Sequence, residues 1–78
     1  MPIAKVTGNI IGNNVRKARL AKNMDQVELA AKLEVDFDIT FSQRTISDIE
    51  QGRRSVRDIE LLAITRALNV TPNDLFGI

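Results

Sequence analysis

The stretch Ser42-Gln43-Arg44-Thr45-Ile46-Ser47-Asp48-Ile49-Glu50-Gln51-Gly52 decides how the rest of the chain is read. It predicts a short helix with a polar outer face. Ser42 is a good N-cap, because its hydroxyl can accept a backbone N–H left free in the first turn. Gly52 is a good stop, since the left-handed conformation past a helix end costs glycine little. Ile46 and Ile49, three apart, form the apolar stripe on which such a helix docks. Gln43, Arg44, Ser47 and Asp48 point elsewhere. Glutamine and arginine pair bidentately with adenine and guanine edges in the major groove of DNA. A capped helix, polar outside and apolar beneath, has what a groove reader needs. An ordinary solvated surface helix has the same features, so the surrounding chain must decide.

The 78 residues suffice for one domain and leave no room for a second core. With 44% hydrophobic and 27% charged residues the composition is that of a soluble globular protein. There is no Cys, hence no disulfide, thiolate metal site or cysteine nucleophile. There is no His, which removes the commonest general base and metal ligand. No Gly-rich phosphate loop or paired-carboxylate cleft offers another catalytic centre. The chain is therefore expected to be no enzyme and to hold no metal or cofactor. No apolar run reaches membrane-spanning length and the N-terminus lacks a signal-peptide pattern. The expected location is the cytoplasm, with no membrane partner.

The net charge of +1 announces no polyanion partner, but its distribution is uneven. Before Asp25 the chain carries Lys5, Arg16, Lys17, Arg19 and Lys22 and no acid. From Asp25 to Asp38 Lys32 is the only base, and Arg44, Arg53, Arg54 and Arg57 then restore positive charge. Such blocks can place a basic face on a nearly neutral molecule, or simply solvate helix surfaces.

Outward from the central stretch the pattern is helical. Residues 1–8 show no periodicity and are expected to be a flexible arm, leaving 9–78 as the domain. From Asn9, Ile11, Val15 and Ala18 fall on one helix face, ending at Lys22-Asn23. Asp25-Gln26-Val27-Glu28 looks like a capping box opening a second helix. Its small residues, Ala30 and Ala31, permit close approach of another helix, and it is expected to end near Glu34 or Val35. In Asp36–Phe41, Phe37, Ile39 and Phe41 alternate with Asp36, Asp38 and Thr40, a period-two signal that predicts an extended segment. Burying each large apolar side chain is worth roughly 1.5–3 kcal/mol, so these three are expected to cap the core or meet a second subunit. After the basic turn Gly52-Arg53-Arg54, Ser55 is the expected cap of a fourth helix. Ile59, Leu61, Leu62, Ala63, Ile64, Ala67 and Leu68 make that helix apolar over most of its surface. Asn69 ends it. Thr71 and Pro72 open a last short helix through Phe76, with Leu75 and Phe76 closing the core and Gly77 as its stop. The predicted fold is an all-α five-helix bundle.

This ordered set resembles the helix-turn-helix domains of the phage-repressor and Cro type, often called the XRE family, and so implies a lambda-repressor-like fold. The residues that carry the resemblance are Ile11-Gly12…Val15-Arg16…Arg19, Gln26…Leu29-Ala30…Leu33, and Thr45-Ile46-Ser47…Ile49-Glu50…Gly52. They continue as Leu61…Ile64…Ala67-Leu68-Asn69-Val70 and Asp74-Leu75-Phe76-Gly77. The resemblance covers nearly everything after Gly8. It implies that Gln43, Arg44, Thr45 and Asp48 face base edges, with Arg44 on guanine. It implies phosphate contacts from Gln26, Arg53 and Arg54, with Arg16, Ser42 and Ser47 beside them. Gln26 also braces the reading helix, and Arg19 with Glu50 resembles the family's structural pair.

Two departures stand out. Glu34 occupies a position where the family commonly has Gly, and Asp36–Phe41 lengthens a turn that usually spans three or four residues. The insertion, with the Arg54–Glu60 stretch, resembles a longer-turn variety of the family. Asp48 is also a poor electrostatic fit to DNA, although an acid can accept from a cytosine amino group. The implied function is a sequence-specific transcriptional regulator, expected to be a repressor. It would bind a palindromic operator in double-stranded DNA as a homodimer, with Leu75, Phe76 and Ile78 as the expected dimer surface. The competing expectation is a protein-interaction module of the same fold, an antitoxin or co-activator bridge, favoured by the small net charge and the Phe37/Ile39/Phe41 stretch.

Overall fold

The computed structural model describes residues 8–78. Apart from Gly8, the expected N-terminal arm lies outside the described residues. Five helices follow: α1 (Gly12–Ala21), α2 (Gln26–Phe37), α3 (Gln43–Glu50), α4 (Asp58–Leu68) and α5 (Pro72–Phe76). The all-α expectation holds, and no strand occurs among the described residues.

The helix starts follow local chemistry. The Asp25 carboxylate accepts the Glu28 N–H at 2.7 Å while the Glu28 side chain takes the Asp25 N–H at 3.1 Å, a reciprocal cap. Ser42 accepts from Thr45 N–H at 3.1 Å, and Thr71 and Asp74 cap α5 in the same reciprocal way. The ends are equally local. Asn23, Asp38 and Asn69 lie just past α1, α2 and α4 with positive φ, a region that short polar side chains tolerate better than most. Gly52 closes the end of α3 with φ +77°.

Several boundaries differ from expectation. Asn9 is not helical: α1 begins at Gly12, and Asn9 caps it from outside, its Oδ1 accepting the N–H groups of Ile11 at 3.0 Å and Gly12 at 2.7 Å. The second helix runs on to Phe37, so the extended segment predicted over Asp36–Phe41 does not form. Phe37 lies four residues after Leu33, so helical spacing fits it as well as alternation does. Lys32 and Asp36 pair at 3.1 Å along the added turn. Asp38 then breaks the helix, its N–H still donating to Glu34 O at 3.1 Å. Phe41 is buried and Phe37 and Ile39 are half-buried against the core, so the insertion folds back as a cap. Ser55 does not open the fourth helix; Asp58 does, with the Glu60 carboxylate taking the Arg57 N–H at 2.9 Å. On α4, Ile59 and Leu62 face solvent, and on α5 only Leu75 enters the core while Phe76 stays exposed.

The core is formed by Val15, Leu29, Leu33, Ile46, Ile49, Ile64, Leu68 and Leu75, with Ile11, Phe41 and smaller side chains around them. α2 packs on α3 and α4, and α1 packs on α3, α4 and α5, so α3 is held between the first two helices. Gly12 makes the α1–α3 contact possible. A Cβ there would overlap the carbonyl oxygens of Ile49 and Glu50 at the end of α3.

Candidate nucleic-acid interface

α3 turns Ile46, Ile49 and Glu50 inward. Glu50 meets Arg19 from α1 in a bidentate pair, Arg19 Nε to Oε2 at 2.7 Å and Nη2 to Oε1 at 3.0 Å. Both residues are buried, 6% and 7% exposed, so this pair must be fully satisfied to be tolerable. It is: Arg19 Nη1 also donates to Met24 O at 2.8 Å, and Gln26 Nε2 donates to Glu50 Oε1 at 3.1 Å. Gln43 Nε2 reaches Gln26 Oε1 at 3.4 Å. A continuous chain of hydrogen bonds thus links α1, both ends of α3 and the start of α2. The hydrogen bonds that Arg19 donates to Glu50 raise its already high pKa, with burial opposing them.

A second clamp comes from Asn9. Its Nδ2 donates to Ile49 O at 3.0 Å and Arg54 O at 2.8 Å, tying the entry to α1 onto the exit from α3. Arg54 closes the other side of that exit. Its guanidinium forms a bidentate pair with Glu60, at 3.0 and 3.1 Å, and donates to Ser55 O at 2.8 Å. It also lies 4.8 Å from the centre of the Phe41 ring, within cation–π range. The Arg54 hydrogen bonds hold the Glu60 carboxyl below its usual range against the opposing effect of burial. The lengthened turn therefore supplies the ring on which the basic turn rests.

The outer face of α3 is left for contact. Arg44, Asp48 and Gln51 fall at i, i+4 and i+7, one ridge of the helix. The Arg44 side chain is 85% exposed, and its Nε lies 3.6 Å from Asp48 Oδ2. Arg53 Nη2 donates to Asp48 Oδ1 at 3.1 Å. Gln43 is exposed at the N-terminal end of the face, and Ser47 is half-buried, its hydroxyl accepting from Gln51 Nε2 at 3.0 Å. Thr45 is also half-buried, with its hydroxyl 3.0 Å from that of Ser42. Arg16 is exposed on α1 and Arg53 on the turn.

The fold thus brings Gln26, Ser42, Gln43, Arg44, Thr45, Ser47, Asp48 and Arg53 to α3 and its two ends. Arg54 differs from the rest of the expected phosphate set, because three of its five N–H donors are committed to Glu60 and Ser55. Sequence reasoning missed Asn9, Gln51 and the seat that Phe41 gives Arg54. The spacing of Gln51 from Arg44 could have exposed the second; the other two contacts cross 13 to 45 residues and leave no local signal. Leu75, expected on a dimer surface, is fully buried, whereas Phe76 and Ile78 are exposed.

Comparison with known proteins agrees with this fold. A family model described as Helix-turn-helix matches residues 15–75. The chain is 43% identical over 74 residues to the control protein C.BamHI of Bacillus amyloliquefaciens, covering 90% of this chain and 84% of that one. The crystal structure of the restriction-modification controller protein C.AhdI from Aeromonas hydrophila superposes with a TM-score of 0.72 at 27% identity, over 85% of this chain and 91% of that one. The P22 c2 repressor, solved with a synthetic operator, superposes with a TM-score of 0.71 at 24% identity, over 86% and 92% of the two chains, a likeness of fold.

Proposed function

This chain belongs to the helix-turn-helix family of DNA-binding transcriptional regulators, and from that premise we propose that it is a repressor that reads the major groove with α3 as a homodimer. The observation that carries the proposal is the polar outer ridge of α3, on a helix tied at its start by Gln43 to Gln26 and clamped at its end by the Arg19–Glu50–Gln26 network and by Asn9. A reading helix must be rigid, since side chains placed loosely do not discriminate base edges. Gln43, Arg44 and Thr45 are the proposed base-edge group, with Asp48 on the same face engaged by Arg44 and Arg53. Gln26, Arg16, Ser42, Ser47 and Arg53 are the proposed phosphate group that sets register. Arg54 joins that group through the turn it holds in place. The likeness to two control proteins supports a regulatory role in a restriction-modification system, exercised on DNA in the cytoplasm. The chain is proposed to act without enzymatic activity.

One small domain reads few base pairs, and a two-fold dimer doubles the reading. Phe76 and Ile78 are the exposed apolar side chains available to the proposed C-terminal dimer surface. Selection of bound sequences from a random duplex library tests the proposal. The expected product is a palindrome whose half-site centres lie about 34–36 Å apart or a multiple of that. A non-repeated site would refute the homodimer, and failure to enrich any sequence would refute DNA reading by α3.

A further inference from the structure

Asp48 is an acid on a ridge otherwise suited to a polyanion. Its two oxygens are taken by two different arginines, Oδ1 by Arg53 Nη2 at 3.1 Å and Oδ2 by Arg44 Nε at 3.6 Å. Its side chain is 27% exposed, against 85% for Arg44 and 59% for Arg53. The backbone of the same residue holds Arg53 in place: Asp48 O accepts the N–H groups of Arg53 at 2.9 Å and Arg54 at 3.3 Å. The carboxylate therefore sits between one arginine expected on a base and one expected on phosphate, and the turn keeps both within reach.

We propose that Asp48 is a specificity-determining residue that stands in for a DNA anion in the free protein, neutralising Arg44 and Arg53 so that only a cognate site repays their engagement. The inference rests on the proposed reading role of α3. On non-cognate DNA, Arg44 and Arg53 must exchange their carboxylate for phosphate. The return there is a screened phosphate contact alone, and the carboxylate is left facing the backbone it repels. On a cognate site Arg44 keeps Nε on Asp48 while its two Nη groups make the bidentate base contact, so that ion pair is not surrendered. The carboxylate thus lowers non-cognate binding more than cognate binding, which suits a chain of net charge +1.

The test is Asp48→Asn in the full chain, with binding measured on the selected operator and on a scrambled duplex across a salt series. Removing the carboxylate frees about one positive charge for phosphate, so the salt slope on scrambled DNA should steepen by about 0.9. Affinity for scrambled DNA should rise several-fold, while operator affinity changes less and the ratio of the two falls. Asp48→Ser carries the same expectation should the first variant fold poorly, and Asp48→Glu, which keeps the charge, should keep the wild-type ratio. If scrambled-DNA affinity and slope stay at wild-type values, the inference is wrong. If operator affinity falls while scrambled-DNA affinity does not move, Asp48 reads a base and the inference is again wrong. In both cases wild-type operator binding leaves the proposed function standing. A wild-type chain that binds neither duplex refutes that function itself.

Discussion

Replacing Glu50 with alanine tests the clamp that orients α3. The substitution removes both carboxylate oxygens from Arg19, leaving that buried guanidinium only Met24 O, and it removes the acceptor of Gln26 Nε2. Deleting one member of a buried ion pair costs about 3–5 kcal/mol, because the surviving charge stays away from water. A domain of 78 residues is stable by roughly 4–12 kcal/mol, at 0.05–0.15 kcal/mol per residue. The loss is thus a large share of the whole, and a melting temperature lower by at least about 12 °C follows at 4–8 °C per kcal/mol. Thermal and urea unfolding measure it. The double variant Arg19→Met/Glu50→Leu should recover most of the stability, since an apolar pair of similar size avoids the stranded charge. Closing the mutant cycle with the single variants Arg19→Met and Glu50→Leu isolates the pairwise energy. A Glu50→Ala cost under about 1 kcal/mol, or a double variant no better than the single, would refute the reasoning.

Arg44→Ala should weaken operator binding by about 1–3 kcal/mol and relax preference at one base pair, read by repeating the library selection; equal weakening on every sequence would mark a phosphate contact instead. Arg53→Ala should flatten the plot of log affinity against log salt by about one unit, and an unchanged slope would remove Arg53 from the phosphate group. The Glu60 carboxyl is held below its usual 4.5 by Arg54, so its stabilising effect is complete above the unfolded value and fades as pH falls through the lower folded one. Melting curves taken downward from neutral pH should therefore show an acid loss of stability that Arg54→Gln diminishes; an identical acid limb in the two proteins would deny the pair its role.

Much of the fold was legible because helix ends are written locally. Ser42, Asp25 and Thr71 each sit within four residues of the N–H they accept, and Asn69 and Gly52 need only their own backbone conformation. The same locality explains the misreadings. Asp38 ends α2 in the left-handed region, yet it also alternates with Phe37 and Ile39, and nothing within six residues separates the two patterns. Ser55 is a good cap by type, but Glu60 reaches the Arg57 N–H from inside the helix and shifts the start.

The sequence by itself determined five helices, the polar ridge of α3 and, through the resemblance it carries, the pairing of Arg19 with Glu50. Only the tertiary structure decided what lies against what. Asn9 finds carbonyls 40 and 45 residues away, Phe41 lies under Arg54, and two arginines meet on Asp48. It also decided that Leu75 is buried while its neighbour Phe76 is not. Periodicity and caps depend on neighbours along the chain, whereas such contacts depend on how helices cross, which packing of the whole core sets.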